Sequence, residues 1–245
     1  MIMLGASLIK RSSGLLLIGA LGLSGIADAQ SFNFRPYFET GVAAASISES
    51  LQSNGFGHAR AATSFDETTE MLYLTLGSEI WSVPNEYSVF AECEIDFFDH
   101  YLLEGANLGE ILPKNEILPV FFNLGVKAKQ NAHFQPYAYA GVGVAHLKNK
   151  FNISGVDEET GYTTKVELNE NANRFAWQIG FGCAYNLTKN FALDVGYTFA
   201  YLGQNKGVFH NYVYNEEGVP QGDNQVPFQI KHKANEFHVG LTYTF

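Results

Sequence analysis

From position 35 onward the chain carries separate runs in which apolar side chains recur at every second residue, the period of a β-strand that is greasy on one face. The pattern is cleanest at the end of the chain, where Phe237, Val239, Leu241, Tyr243 and Phe245 alternate with Glu236, His238, Gly240, Thr242 and Thr244. In water such a strand would finish on a sheet edge with an exposed apolar terminus. In a membrane barrel the greasy face meets lipid and closure removes the edge.

Earlier runs with strand character are expected at about 35–47, 70–81, 87–101, 115–128, 134–146, 173–186 and 191–202. The first contains Glu39. The second sets Leu72, Leu74, Leu76 and Ile80 against Tyr73, Thr75, Gly77 and Glu79. The third sets Val89, Ala91, Cys93, Ile95 and Phe97 against Glu92, Glu94 and Asp96, and three carboxylates in one row do not face lipid. In the fourth, Leu118, Val120, Phe122, Leu124 and Val126 oppose Phe121, Asn123, Gly125 and Lys127. In the fifth, Val142 and Val144 look outward, which turns Tyr137 and Tyr139 inward beside Gly141 and Gly143. The sixth opposes Phe175, Trp177, Ile179, Phe181, Cys183 and Tyr185 to Arg174, Gln178, Gly180 and Gly182. The seventh opposes Leu193, Val195, Tyr197, Phe199 and Tyr201 to Asp194, Gly196 and Thr198.

Polar stretches at about 48–67, 102–115, 147–171 and 203–233 read as long loops, and 84–85, 130–132 and 188–190 as short turns. Long and short connections thus alternate between eight runs of about ten residues or more, enough to cross a bilayer when tilted. This predicts an all-β, eight-stranded antiparallel up-and-down transmembrane β-barrel over 30–245, with both termini at the turn end and four long extracellular loops.

The segments PYAYAGVGVA, QIGFGCAYNLTKNFALDVGYTF and FHVGLTYTF resemble the opacity-protein and OmpA-like family of eight-stranded outer-membrane barrels. His238, Gly240, Tyr243 and Phe245 also resemble the C-terminal signal of such barrels. The resemblance implies residence in the outer membrane of a Gram-negative bacterium, contact with membrane lipid, and recognition of that signal by the barrel assembly machinery. Some relatives carry a globular peptidoglycan-binding domain, which is expected to be absent here. The chain is read as a monomer.

The first residues add an export signal. Lys10 and Arg11 precede an apolar core at 14–23, and Ala27, Asp28 and Ala29 offer small residues for cleavage. An anchoring helix is the alternative, but that core is shorter than the ~20 residues needed to span a bilayer. Removal of 1–29 takes away two positive charges and one negative, moving the formal charge from −10 to −11. So acidic a chain without a basic stripe disfavours nucleic acid as a partner. With aromatic residues at 14% and 24 glycines, the remainder suits one β domain. Cys93 and Cys183 fall on outward faces of non-neighbouring strands, beyond the ~7 Å that a disulfide spans.

On these parities the barrel interior holds Glu39, Glu79, Glu92, Glu94, Asp96, Asp194 and Glu236 together with Lys127, Arg174 and His238. Opposite charges are expected to pair there, because an unpaired buried charge costs several kcal/mol. Such a barrel is either plugged by polar side chains or, with carboxylates in excess, a narrow cation-preferring channel. For a hydrolase, Asp99 with His100 and Glu236 with His238 are the available base and orienter pairs, but neither has a neighbouring Ser. No catalytic residue is assigned. His133, His146, His210 and His232 lack metal-ligand spacing, and the acidic run of Asp157, Glu158 and Glu159 with Asn152 and Glu167 matches no Ca²⁺ loop. No metal and no cofactor are expected. Phe56, Phe65, Phe151, Tyr162, Phe209, Tyr212, Tyr214 and Phe228 give the polar stretches an aromatic load that suits an extracellular or host ligand, loop packing or an outer aromatic girdle. The leading expectation is a surface antigen or adhesin-like envelope protein, with a porin second and a lipid-modifying enzyme third.

Overall fold

A computed structural model describes residues 34–54, 60–83, 86–98, 101–102, 114–129, 133–156, 163–215 and 219–245. The strands are β1 (Arg35–Asn54), β2 (Arg60–Val83), β3 (Tyr87–Phe98), β4 (Tyr101–Leu102), β5 (Lys114–Ala128), β6 (Phe134–Val156), β7 (Thr163–Asn186), β8 (Phe191–Tyr214) and β9 (Pro220–Thr244). They pair in the order β3-β2-β1-β9-β8-β7-β6-β5, and β3 pairs with β5 to close the ring. The two-residue β4 prolongs the line of β3 along the same neighbour, β5. The result is a closed antiparallel barrel of eight long strands.

Its polarity is inverted relative to a water-soluble protein. On β7, Phe175 is 63% exposed and Phe181 61%, while Gln178 between them is fully buried. Val142, Val144, Leu124, Phe122, Val239 and Phe237 continue the outward apolar face around the ring. That face would be unstable in water and requires lipid. The ten-residue step from Phe175 to Tyr185, at a tilt usual for barrels, rises about 25 Å, the height of an outer-membrane apolar band.

Inside, most large rings face a glycine across the ladder. Tyr37 pairs with Gly77, Tyr73 with Gly41, Phe90 with Gly125, Phe121 with Gly143, Tyr139 with Gly180 and Tyr137 with Gly182. At each of these glycines the partner's side chain occupies the space a Cβ would need. An eight-stranded barrel is barely wide enough for its side chains, so a large residue on one strand demands none on the next.

The ladder shifts register at four places among the described residues: between Glu79 and Trp81 on β2, between Tyr201 and Gly203 and between Val213 and Tyr214 on β8, and between Glu167 and Trp177 on β7. At the second of these, Gly203 adopts φ 103°, a left-handed conformation suited to glycine, and both it and Leu202 are buried. Pro119 lies in β5 between the last β3 partner, Val120, and the first β4 partner, Asn115, where its missing N–H breaks no rung to β3 or β4.

The strands outrun the expected loops. Residues 48–54 pair with 60–66, β6 and β7 continue to Val156 and Thr163, and β8 and β9 to Tyr214 and Pro220. The 48–67, 147–171 and 203–233 readings are corrected accordingly, and 103–113 of the 102–115 stretch lie outside the described residues. Above the apolar band both faces of a strand can be polar, so the period-two signal vanishes while the backbone ladder persists. The turns at 84–85 and 130–132 are likewise not described, whereas Thr188 Oγ1 accepts the N–H groups of Asn190 and Phe191 to shape the third.

Candidate functional site

The inward faces of β1, β6, β7, β8 and β9 each read polar, then apolar, then polar along the strand, and these stack into layers. The middle layer carries Glu39, Glu92, Glu94, Asp96, Asp194 and Glu236. Tyr73 and Thr242 each donate to Glu39 at 2.9 Å. Tyr37 donates to Glu92 at 2.5 Å, and Asn123 to Glu92 at 3.1 Å and to Glu94 at 2.7 Å. Gln178 adds a bond to Glu94 at 3.2 Å. Tyr137 donates to Asp194 at 2.6 Å, and His238 Nε2 lies 3.2 Å from the same hydroxyl and 3.3 Å from Asp194.

These contacts correct the expectation of ionic pairing for Glu39, Glu92 and Glu94, whereas His238 does lie against Asp194 as that expectation required. Glu39, Glu92, Glu94 and Asp194 are held by hydroxyls and amides, because the lysines and arginines sit at the ends. Lys127 stands at the turn end over the rings of Tyr37 and Phe90, 5.7 Å from each centroid. Arg174 sits beyond the apolar layer, where it reaches Glu170 at 3.2 Å and Asn205 at 3.0 Å. Glu79 finds Lys129 at 2.6 Å. A hydrogen bond to a charged group contributes about 1.5–3 kcal/mol, so several neutral donors can replace one cation. Asp96 is fully buried in the same layer, and Oε1 of Glu236 has no hydrogen-bond partner among the described residues. Glu236, Glu94 and Glu39 border a cavity of about 30 Å³, room on the order of two waters.

Above this layer the interior is sealed. Ile47, Ile117, Phe121, Leu147 and Leu202 pack with Ala145, Ala176, Ala200 and Ala234 into one buried apolar cluster, with Phe98 against it. Beyond the seal lies a second polar layer, in which His232 Nδ1 meets Glu49 at 2.9 Å with both side chains almost wholly buried. Burial raises the Glu170 carboxyl above its ordinary value, and Arg174 beside it pulls it back. The outer surface turns polar from the height of the seal: Lys148 pairs with Glu116 at 2.8 Å, His146 with Asn173 at 2.7 Å, and Tyr197 donates to Asn235 at 2.7 Å.

The interior residues named from the sequence thus occupy three different levels. His238 faces Asp194 and Tyr137, not Glu236, which shares its strand face but stands one step away. Asp99 and His100, the other base and orienter pair, lie outside the described residues. The same holds for Asp157, Glu158 and Glu159, and for Phe56 and Tyr162. Asn152 and Glu167 are cross-strand partners in the extended wall, as are Phe65 with Glu49 and Phe209 with Val226. Phe228 is buried inside the extension. Among the described residues no group of three or more His, Cys, Asp and Glu side chains could hold a metal ion. Cys93 and Cys183 are both free.

Sequence reasoning missed the donors. Tyr37, Tyr73, Asn123 and Gln178 all occur at inward positions, so their parity was the signal that could have found them. The buried Glu49 and His232 pair was hidden because both fall in stretches that read as loops. At the terminal strand, His238 and Gly240 face inward and Tyr243 and Phe245 outward, the last donating its N–H to Pro36 O at 3.0 Å.

A family model described as "Outer membrane protein beta-barrel domain" matches residues 13–245. The outer membrane protein PagN of Salmonella typhimurium is 32% identical over 112 residues, which cover 46% of this chain and 43% of that protein. The aligned region therefore spans less than half the length of that relative. The outer membrane protease OmpT of Escherichia coli aligns over 88% of this chain and 99% of its own at 11% identity and a TM-score of 0.50, a likeness of fold alone. Neisserial surface protein A aligns over 86% and 97% at 12% identity and a TM-score of 0.46.

Proposed function

This chain belongs to the outer membrane protein beta-barrel domain family, and from that premise we propose that it is a surface-interaction protein of the envelope. Its place is the outer membrane of a Gram-negative bacterium, with the apolar band in lipid. The observation that carries the reading is the extension of β1, β2 and β6 to β9 past that band. On β7 the stretch from Thr163 to Asn173 is as long as the lipid-facing stretch that follows it. Pairing those residues into a continued wall gives the ends of the strands a firm platform for binding an extracellular ligand.

The same reading takes residues 1–29 as a cleaved signal, the final strand as the feature engaged by the assembly machinery, and the protein as a monomer. It assigns no catalysis, since His238 is already committed to Asp194 and Tyr137 in a sealed interior. Carboxylates in the middle layer favour a cation-preferring channel as the second reading. The apolar cluster above them supports an anchor instead.

The test is adherence. Cells of a non-adherent Gram-negative host displaying the full barrel should bind epithelial monolayers, whereas cells displaying a barrel with 204–231 replaced by a short turn should not. Equal adherence at equal surface levels would reject the proposal.

A further inference from the structure

At the turn end, a vestibule of about 470 Å³ opens below the middle layer. Arg35, Lys127, Lys129 and Lys189 line it against one carboxylate, Glu79, although the whole chain carries a formal charge of −10. Lys129 neutralises Glu79 at 2.6 Å and also reaches Ser82 at 3.3 Å. Arg35, Lys127 and Lys189 make no ion pair among the described residues. Glu86 is a turn residue at the same end and does not line the vestibule.

We propose that this vestibule binds a small ligand bearing phosphate or carboxylate oxyanions, held by Arg35, Lys127 and Lys189. Lys127 borders both this space and the 30 Å³ cavity above it. Its ammonium group, placed over two aromatic rings, is the ceiling an anion reaches. Past it the lining offers the carboxyl oxygens of Glu92, Glu39 and Asp194 and no further Lys or Arg, so an entering oxyanion stops at Lys127 instead of passing through. Thr244 and Gln135 add polar groups to the wall, and charge-assisted bonds from several donors are the usual means of holding an oxyanion. The site is independent of the extended wall. Only the identification of the compartment that supplies the ligand rests on the orientation in the proposed function.

The protein reconstituted in zwitterionic lipid nanodiscs is titrated with inorganic pyrophosphate and with a tricarboxylate, followed by calorimetry. Saturable binding that weakens as salt rises is expected. Lys127→Gln and Lys189→Glu should each weaken it about tenfold, the effect of removing one charge-assisted contact. Lys189 lies in an exposed turn, so its variant folds even if Lys127→Gln does not. Nanodiscs that include an anionic phospholipid separate the sources: unchanged pyrophosphate affinity supports a soluble ligand, and competition supports a lipid headgroup. Absence of saturable binding, or unchanged binding by Lys189→Glu together with a folded Lys127→Gln, overturns the proposal. The variant shortened at 204–231 should bind pyrophosphate normally, which keeps this outcome separate from the adherence test.

Discussion

Tyr137 on β6 stands directly across the ladder from Gly182 on β7, and its ring fills the space that a side chain at 182 would need. From there its hydroxyl reaches past β7 to Asp194 on β8. One residue thus fills the interior and links three strands, but only because its partner is glycine.

Gly182→Val should therefore damage the barrel. The added side chain displaces Tyr137 and overpacks the interior, at a cost of about 1–3 kcal/mol, and the Asp194 bond goes with it. Unfolding by urea in lipid vesicles should show the loss as a lower midpoint. Gly222→Ala is the control, since nothing lies within 4 Å of a Cβ built there, and its midpoint should stay put.

Tyr137→Phe isolates the hydroxyl. The ring still covers Gly182, but Asp194 loses its 2.6 Å donor and keeps only His238 at 3.3 Å. Leaving a buried acceptor short of a partner costs about 1–3 kcal/mol. The same vesicle unfolding should find Tyr137→Phe less stable than wild type, and an unchanged midpoint would show that His238 alone suffices.

The rings and glycines explain how much of this was legible. Strand number, closure and the inward parity of Glu39, Glu92, Glu94, Asp96, Asp194, Glu236 and His238 follow from alternation, which lipid on one side and a narrow interior on the other enforce strictly. Partner choice does not follow. Whether Glu92 meets Lys127 or Tyr37 depends on the stagger between strands, and alternation within one strand carries no record of stagger. The strand extensions were illegible for a related reason. At Ser48, Glu49 and Ser50, for instance, water outside and a polar layer inside leave no contrast between faces, although each of these residues pairs with β2 and β9.

The apolar cluster makes a prediction about conduction. Phe121, Ile47, Leu147 and Leu202 are almost wholly buried across the interior, so planar-bilayer recordings of the wild type should show no steady unitary current. Replacing Phe121, Leu147 and Leu202 together by Ala removes side chains whose individual loss costs about 2–5 kcal/mol each. Any such variant that still folds should conduct, with cation preference from the carboxylates below. Steady current through the wild type would contradict the sealed interior.

The last residue separates folding in the cell from stability once folded. Phe245 is 71% exposed toward lipid, touches Tyr243 with ring centroids 5.1 Å apart and gives one backbone bond to Pro36. Its removal leaves every interior contact in place and forfeits one hydrogen bond, worth about 1 kcal/mol. If Phe245 mattered only as a contact, the deletion would lower the unfolding midpoint slightly and leave surface levels almost unchanged. If the assembly machinery grips the terminal strand at this ring, surface levels should fall severalfold while protein refolded in vitro unfolds nearly as wild type does. Quantitative surface labelling beside vesicle unfolding reads both quantities, and the second pattern is the one expected. Normal surface levels of the truncated protein would remove Phe245 from any role in assembly.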